Sequence, residues 1–365
     1  MQGRNLRQRF PVRSWLRRLA AGLVRRDSAR DGQVAVFAAA GPMPREAALW
    51  HKSGADPHAP GGLYAFQRLR QPYFIPYTGN SFKLAKSDAV FAIGSCFARG
   101  IESALKLRGF RVESAATDFD RFPVVGDRKV TALGFTNKYT VHSILNEFRW
   151  ALDPAAARFP EASLVELGAG HCVDPHINPT LQAADRAGTL ERRRIIGEVN
   201  ARVSRCRVVL LTLERVEGWY DTGAGVHLNI TPTREMKQLF PGRYRPVTSN
   251  HQETLQALEG IHALLAAHGH PDFHVVVTTS PIPLQATHSG HDVVVANAYS
   301  KATLRAASQD FASAHANVEY FPSYEMVVNS GRDVAWEEDL KHVQGLMTNR
   351  IMDLFMHSFV AGDHG

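Results

Sequence analysis

Residues Asp88–Phe110, DAVFAIGSCFARGIESALKLRGF, read as an apolar strand, a Gly-Ser-Cys turn and an amphipathic helix in one run. Val90 to Ile93 form a short apolar run ending at Gly94, the pattern of a strand buried on both faces of a parallel sheet. From Phe97 the spacing becomes helical. Phe97, Ile101, Ala104, Leu105 and Phe110 share a face, with Arg99, Glu102, Lys106 and Arg108 away from it and Gly109 at the C-cap. Ser95 falls at the helix start, where two readings stand. Serine is a preferred N-cap, and the same unpaired N–H groups and helix dipole stabilise an alkoxide or oxyanion.

Two further runs read as strands of the same kind, RVVLLTL at Arg207–Leu213 and FHVVVTT at Phe273–Thr279, with a shorter one at Val318–Phe321. Helical spacing occupies Tyr139–Leu152, residues 190–204, Gln252–His268, Asn297–His315 and the C-terminal segment. Strands alternating with helices imply an α/β fold with a mainly parallel sheet covered on both faces. The segment ERVEGWYDTGAGVHLN after the second strand is glycine-rich and is expected to be a loop, as is most of Thr117–Asn137.

The chain has 365 residues, 44% of them hydrophobic, enough for a large core. Its net charge of +7 is concentrated at one end, since residues 1–30 carry nine Arg and one Asp. The rest is close to neutral, which argues against a basic nucleic-acid groove in the folded part. The segment 4–26 also carries Phe10, Trp15, Leu16, Leu19 and Leu23, the composition of an interfacial helix or of a disordered tail. Its longest apolar run is too short for a signal-peptide core or a membrane span. The expected organisation is a basic tail at 1–30, an irregular Gly/Pro/Ala-rich extension at 31–80 and one catalytic domain at 81–360.

Cys96, Cys172 and Cys206 lie far apart, which suggests neither a disulfide framework nor a zinc site and fits a reducing cytoplasm, with peripheral contact at the inner membrane surface through residues 4–26. HCVDPHINP places His171, Cys172, Asp174 and His176 close together, but its two prolines and the lack of a second ligand group favour a turn over a metal site. No metal is expected.

A nucleophilic serine needs a base, and the base an orienting acceptor. Asp339 stands three residues before His342, where its carboxylate can fix the imidazole tautomer. Taken alone, this spacing equally describes a solvated pair. Glu217 and Trp219 are candidates to line a substrate pocket, Trp219 by stacking on a sugar ring, with a core role as the alternative. Lys301 and Arg305, four apart, suit either a substrate anion or a solvated face.

GSCFA at Gly94–Ala98, TSPIPL at Thr279–Leu284, NAYSKATLR at Asn297–Arg305, YFPSYE at Tyr320–Glu325 and DLKH at Asp339–His342 resemble the GSCFA-domain family of bacterial proteins. The resemblance spans roughly residues 70–360. That family is similar to the SGNH/GDSL-type hydrolases, which implies a flavodoxin-like three-layer α/β/α sandwich. It also implies Ser95 as nucleophile, His342 as base and Asp339 as its orienter. Asn297 and Lys301 stand beside Glu217 and Trp219 as substrate-binding candidates. The implied activity is that of an esterase or O-acyltransferase acting on O-acyl groups, O-acetyl foremost, of a carbohydrate or polysaccharide. It needs no cofactor unless an acyl donor such as acetyl-CoA feeds a transferase. The alternative is a catalytically silent carbohydrate-binding or scaffolding protein attached to a membrane surface by its basic N-terminus.

Two departures from the SGNH pattern bear on the site. Cys96, not serine, occupies the third position of the turn and is a rival nucleophile, since a thiolate is also favoured at a helix N-terminus. At the exit of the second strand, Glu214-Arg215-Val216 replaces the Gly-x-Asn whose amide donates to the oxyanion, a loss of about 3 kcal/mol of transition-state stabilisation unless compensated. Asn137, the backbone N–H of Cys96 and that of Gly134 are the candidate donors, with an N-cap role as the alternative for Asn137.

Overall fold

The computed structural model describes residues 43–360, apart from 60, 79–80, 117, 119–120, 123–133, 135, 156 and 179–180. The basic tail at 1–30, the start of the extension and most of the 117–137 loop lie outside the described residues.

In chain order the first half holds helix α1 (Ala65–Arg68), strand β1 (Ala89–Gly94), helix α2 (Cys96–Leu107), β2 (Arg111–Val112), α3 (Val141–Leu152), β3 (Val165–Leu167), β4 (His171–Val173) and α4 (Arg186–Ala201). There follow β5 (Val208–Leu213), β6 (Glu217–Asp221), β7 (Val226–Leu228), α5 (Arg234–Leu239), β8 (Tyr244–Thr248), α6 (His251–His268) and β9 (His274–Thr279). The chain ends with α7 (Val293–Ala314), β10 (Val318–Tyr320), α8 (Ser323–Val328), α9 (Arg332–Ala335) and α10 (Gly345–Phe359).

The central sheet runs β2-β1-β5-β9-β10, parallel throughout. Counted among themselves, these strands have the order 2-1-3-4-5, the flavodoxin-like topology, and the order reverses between β1 and β5. Ligands bind at the carboxyl ends of the strands at such a point, which here means Gly94 and Leu213.

Strand alternation divides the core in two. Val90, Ala92, Val208, Leu210 and Val276 face one side, packed with Ile101 and Leu105 of α2, Met326 of α8, and Met347, Ile351 and Phe355 of α10. Phe91, Ile93, Val209, Leu211, Val275 and Val277 face the other, against Ile144 and Phe148 of α3, Ile261 of α6, and Leu304 and Phe311 of α7. Each fully buried side chain of this size contributes about 2–3 kcal/mol. A strand with two covered faces is buried along its whole length, as β1 and β5 are, which is why both read as near-continuous apolar runs.

Three expectations need correction. The glycine-rich stretch after β5 is not simply a loop, since it contains β6 and β7, which with β8 form an antiparallel sheet in the order β7-β6-β8. Glu217, Trp219 and Asp221 are buried while Gly218 and Tyr220 are half-buried, an alternation that the Gly and aromatic content conceals. The helix expected from Asn297 begins at Val293, capped by Asp292, which accepts from Val294 N–H at 2.8 Å. HCVDPHINP opens as strand β4 before its turn, in which Asp174 accepts from His176 N–H at 2.8 Å. Among the described residues no helix is long and apolar enough to cross a membrane.

Candidate active site

Gly94 ends β1 at φ 141°, and a Cβ there would lie 2.1 Å from the Thr212 carbonyl oxygen. Only glycine lets the two strand ends approach this closely. The Ser95 N–H donates to Thr212, at 3.3 Å to its carbonyl and 3.1 Å to its Oγ1. The serine is fully buried at the N-terminus of α2, where its Oγ accepts from Phe97 N–H at 3.4 Å. The cap geometry is therefore present, and it stands at the switch point of the sheet.

Cys96, beside it, is half-buried. Desolvation first, and the charge of Glu214 next, push its thiol up to about 12, with Lys341 opposing. A protonated thiol is a weaker nucleophile than a thiolate, and burial here opposes the pull of the helix N-terminus on Cys96.

The loop before α3 docks onto this turn. Lys138 N–H donates to the Gly94 carbonyl at 2.7 Å. Asn137, next to it, is buried, and its Oδ1 has no partner among the described residues. The nearby Tyr139 hydroxyl accepts from Asn178 Nδ2 at 2.5 Å. Thr140, not Asn137, caps α3 by accepting from Ser143 N–H at 3.2 Å, which removes the capping role considered for Asn137. The Gly134 carbonyl accepts from Asn137 N–H at 3.4 Å.

This loop is anchored by buried charge. The Lys138 ammonium pairs with Glu147 and donates to the His176 carbonyl at 2.5 Å, while Glu147 also receives Arg193 at 2.8 Å and Asn200 at 2.9 Å. Burial alone would raise the Glu147 carboxyl, but Arg193 and Lys138 hold it down. A network of this kind is costly to desolvate and costlier still to break on one side, so it fixes where Asn137 sits.

Asp339 and His342 lie on an exposed turn closed by the Trp336–Val343 bridge and by Glu337 N–H donating to the His342 carbonyl at 2.8 Å. Asp339 Oδ1 accepts from Lys341 N–H at 3.0 Å and His342 N–H at 2.9 Å, and its Oδ2 lies 2.5 Å from His342 Nδ1. Burial works against ionisation, yet the two backbone N–H groups and the imidazole hold the Asp339 carboxyl down at about 2. Nδ1 is thus the donor, and Nε2 is left with an open lone pair. Leu340, within the turn, sits at φ 51°, a left-handed conformation costly for a side chain with a Cβ. No hydrogen bond joins Ser95 to His342. Lys341, within the turn, acts electrostatically on both Cys96 and Glu214, so the turn lies near the start of α2.

A cavity of about 470 Å³ opens beside this turn, lined among others by Pro281, Leu284, Asn297, Tyr324, Asp339 and Lys341. Of the residues expected to bind substrate, Asn297 lines it, with its Oδ1 accepting from Leu284 N–H at 3.1 Å. Lys301 does not reach a surface. It is 1% exposed, its ammonium donates to the carbonyls of Glu214 at 2.5 Å and Ile282 at 2.6 Å, and burial draws it down to about 8. Arg305 is taken by Glu325 at 2.5 Å and lies over the Tyr320 ring. Glu217 and Trp219 belong to the antiparallel sheet, away from the cavity lining. Glu217 accepts from Thr287 Oγ1 at 2.7 Å and His288 N–H at 2.8 Å, and Trp219 Nε1 donates to His288 Nε2 at 3.2 Å.

Fold and site define an α/β protein of flavodoxin-like topology that places a Gly-Ser turn at its switch point and carries an Asp-His pair on a turn before the last helix. Residues 89–355 match the GSCFA family, and the chain belongs to it. No curated protein matches the chain. Among solved structures it is similar to LAE5, an alpha/beta hydrolase enzyme from the metagenome of Lake Arreo, Spain, at 9% identity over 76% of this chain and 97% of that one, with TM-score 0.29. It is also similar to a carbohydrate esterase family 2 enzyme with a carbohydrate binding domain from Myceliophthora fergusii, at 14% identity over 77% and 67%, again with TM-score 0.29. At this TM-score neither likeness bears on activity.

Proposed function

We propose that this protein is a serine hydrolase or acyltransferase acting on O-acyl groups, O-acetyl groups of a carbohydrate foremost. The observation that carries the reading is the Asp339–His342 contact of 2.5 Å, which leaves Nε2 as the proton acceptor on a turn whose Lys341 interacts electrostatically with Cys96, next to Ser95. Ser95 Oγ attacks the acyl carbonyl carbon and its proton passes to His342 Nε2. The tetrahedral oxyanion collapses, the carbon–oxygen bond to the leaving group breaks, and His342 returns the proton to the departing alkoxide. Water, or a sugar hydroxyl in a transferase, then attacks the acyl-Ser95 ester with His342 again as base. Asn137 and the backbone N–H of Cys96 are the candidate donors to the oxyanion. The cavity beside the turn would take the substrate, with Asn297 on its wall.

Release of p-nitrophenol from p-nitrophenyl acetate tests this. Both Ser95→Ala and His342→Ala are expected to abolish it, and full activity in either variant contradicts the assignment. One observation favours a second reading as a silent carbohydrate-binding or scaffolding protein: Ser95 is fully buried and its Oγ is bonded to Phe97 N–H. Under that reading, Ser95→Ala leaves glycan binding intact and no ester is turned over.

A further inference from the structure

Glu214 follows the last residue of β5, where the reaction just described has no use for it. Thr212 and Glu214 continue the alternation that sends Val208 and Leu210 toward α2. Thr212 Oγ1 already receives the Ser95 N–H, so the Glu214 side chain stands one step further out on the same side, over the start of α2. Glu214 interacts electrostatically with Cys96 at the serine turn and with Lys341 of the Asp339–His342 turn, so its carboxyl lies near both. The backbone beneath it is fixed by Lys301 Nζ on the Glu214 carbonyl and by Arg215 N–H donating to the Tyr139 carbonyl at 3.1 Å.

The residue is 7% exposed, yet no hydrogen bond or ion pair from a described residue reaches its carboxyl. Other buried carboxylates among the described residues have hydrogen-bond or ion-pair partners, as Glu147 has in Lys138 and Arg193. Burial raises the Glu214 carboxyl, while Arg215, Lys301 and Lys341 work in the opposite direction. Cys96 and Tyr139 are the other titratable groups that face it.

We propose that Glu214, as the neutral carboxylic acid, donates a hydrogen bond to the carbonyl oxygen of the acyl group as Ser95 attacks it. The proposal rests on the hydrolase reading. No proton is transferred from Glu214: its O–H bond stays intact while the hydrogen bond shortens as the substrate oxygen gains charge. A neutral acid is a good donor of this kind, whereas its anion would repel the developing oxyanion.

The test is the pH dependence of p-nitrophenyl acetate hydrolysis by the full chain and its Glu214→Leu, Glu214→Gln and Ser95→Ala variants. Glu214→Leu is expected to lower kcat by about 10²–10³-fold with KM little changed, the loss typical of one oxyanion donor. Glu214→Gln keeps a donor at every pH, so it should stay within about tenfold of wild type and lose the alkaline fall that deprotonation of Glu214 imposes. Should Glu214→Leu fail to fold by thermal melting, the Glu214→Gln profile decides. An inactive Ser95→Ala alongside a fully active Glu214→Leu, or an unchanged alkaline limb in Glu214→Gln, overturns this proposal alone. Activity surviving in Ser95→Ala overturns the hydrolase reading and this proposal with it.

Discussion

The turn at Ser95 and the turn at Asp339–His342 hold the two halves of the candidate site by opposite means. Ser95 is fully buried, and its place is dictated by long-range register, with Gly94 opposite Thr212 and Lys138 bonded to the Gly94 carbonyl. Asp339 and His342 are about half exposed, and bonds within five residues shape their turn. The serine half therefore depends on the whole sheet, whereas the base half is a local device that can adjust without unfolding the core.

Substitutions can break this contrast from either side. The largest expected effect is on chemistry: Asp339→Asn should lower kcat about 10³-fold or more, because the amide no longer fixes the imidazole tautomer, while the melting temperature barely moves. Steady-state kinetics beside a thermal melt checks both. Next comes Gly94→Ala, which sets a methyl against the Thr212 carbonyl at a φ that L residues avoid. It should destabilise the fold by about 3 kcal/mol, read from urea unfolding. A loss as small as that of a surface substitution would show that the two strand ends are not locked together.

Leu340→Gly should be milder, within about 1 kcal/mol of wild type, since relief of the left-handed conformation offsets the extra freedom of glycine in the unfolded chain. The smallest effect concerns acid. Asp339 is held at about 2 in the fold against an ordinary 3.8, so its contribution to the turn is complete above pH about 4 and fades as pH falls through about 2. An NMR titration of the His342 ring and the 339–342 amides should follow that carboxyl. Movement of Ser95 amide resonances with the same midpoint would show the two turns to be more tightly coupled than this account holds.

How legible each region was in the sequence follows the same division. Strands β1, β5 and β9 are readable because a strand covered on both faces carries a run of consecutive apolar residues, and the Asp339–His342 spacing is readable because its bonds are local. The β6–β8 sheet is hidden by Gly218, Gly223 and Gly225, which suggest a loop although the burial alternates along β6. Lys301 reads as a solvated or substrate-facing lysine, and nothing local signals that two carbonyls from other segments enclose it. Lys138 with Glu147 and Arg193 is a partnership across distant elements, invisible at any helical or strand spacing. Glu214 stands out in sequence only as a departure from the SGNH pattern. That it is 7% exposed is a three-dimensional fact.

The central claim is that Ser95, held on the sheet, is the group that becomes acylated. Labelling the full chain with a fluorophosphonate and locating the adduct by peptide mass spectrometry tests it directly. The account predicts modification of Ser95, lost in Ser95→Ala and His342→Ala and retained in Cys96→Ala. An adduct on Cys96, or labelling that persists in Ser95→Ala, would contradict it.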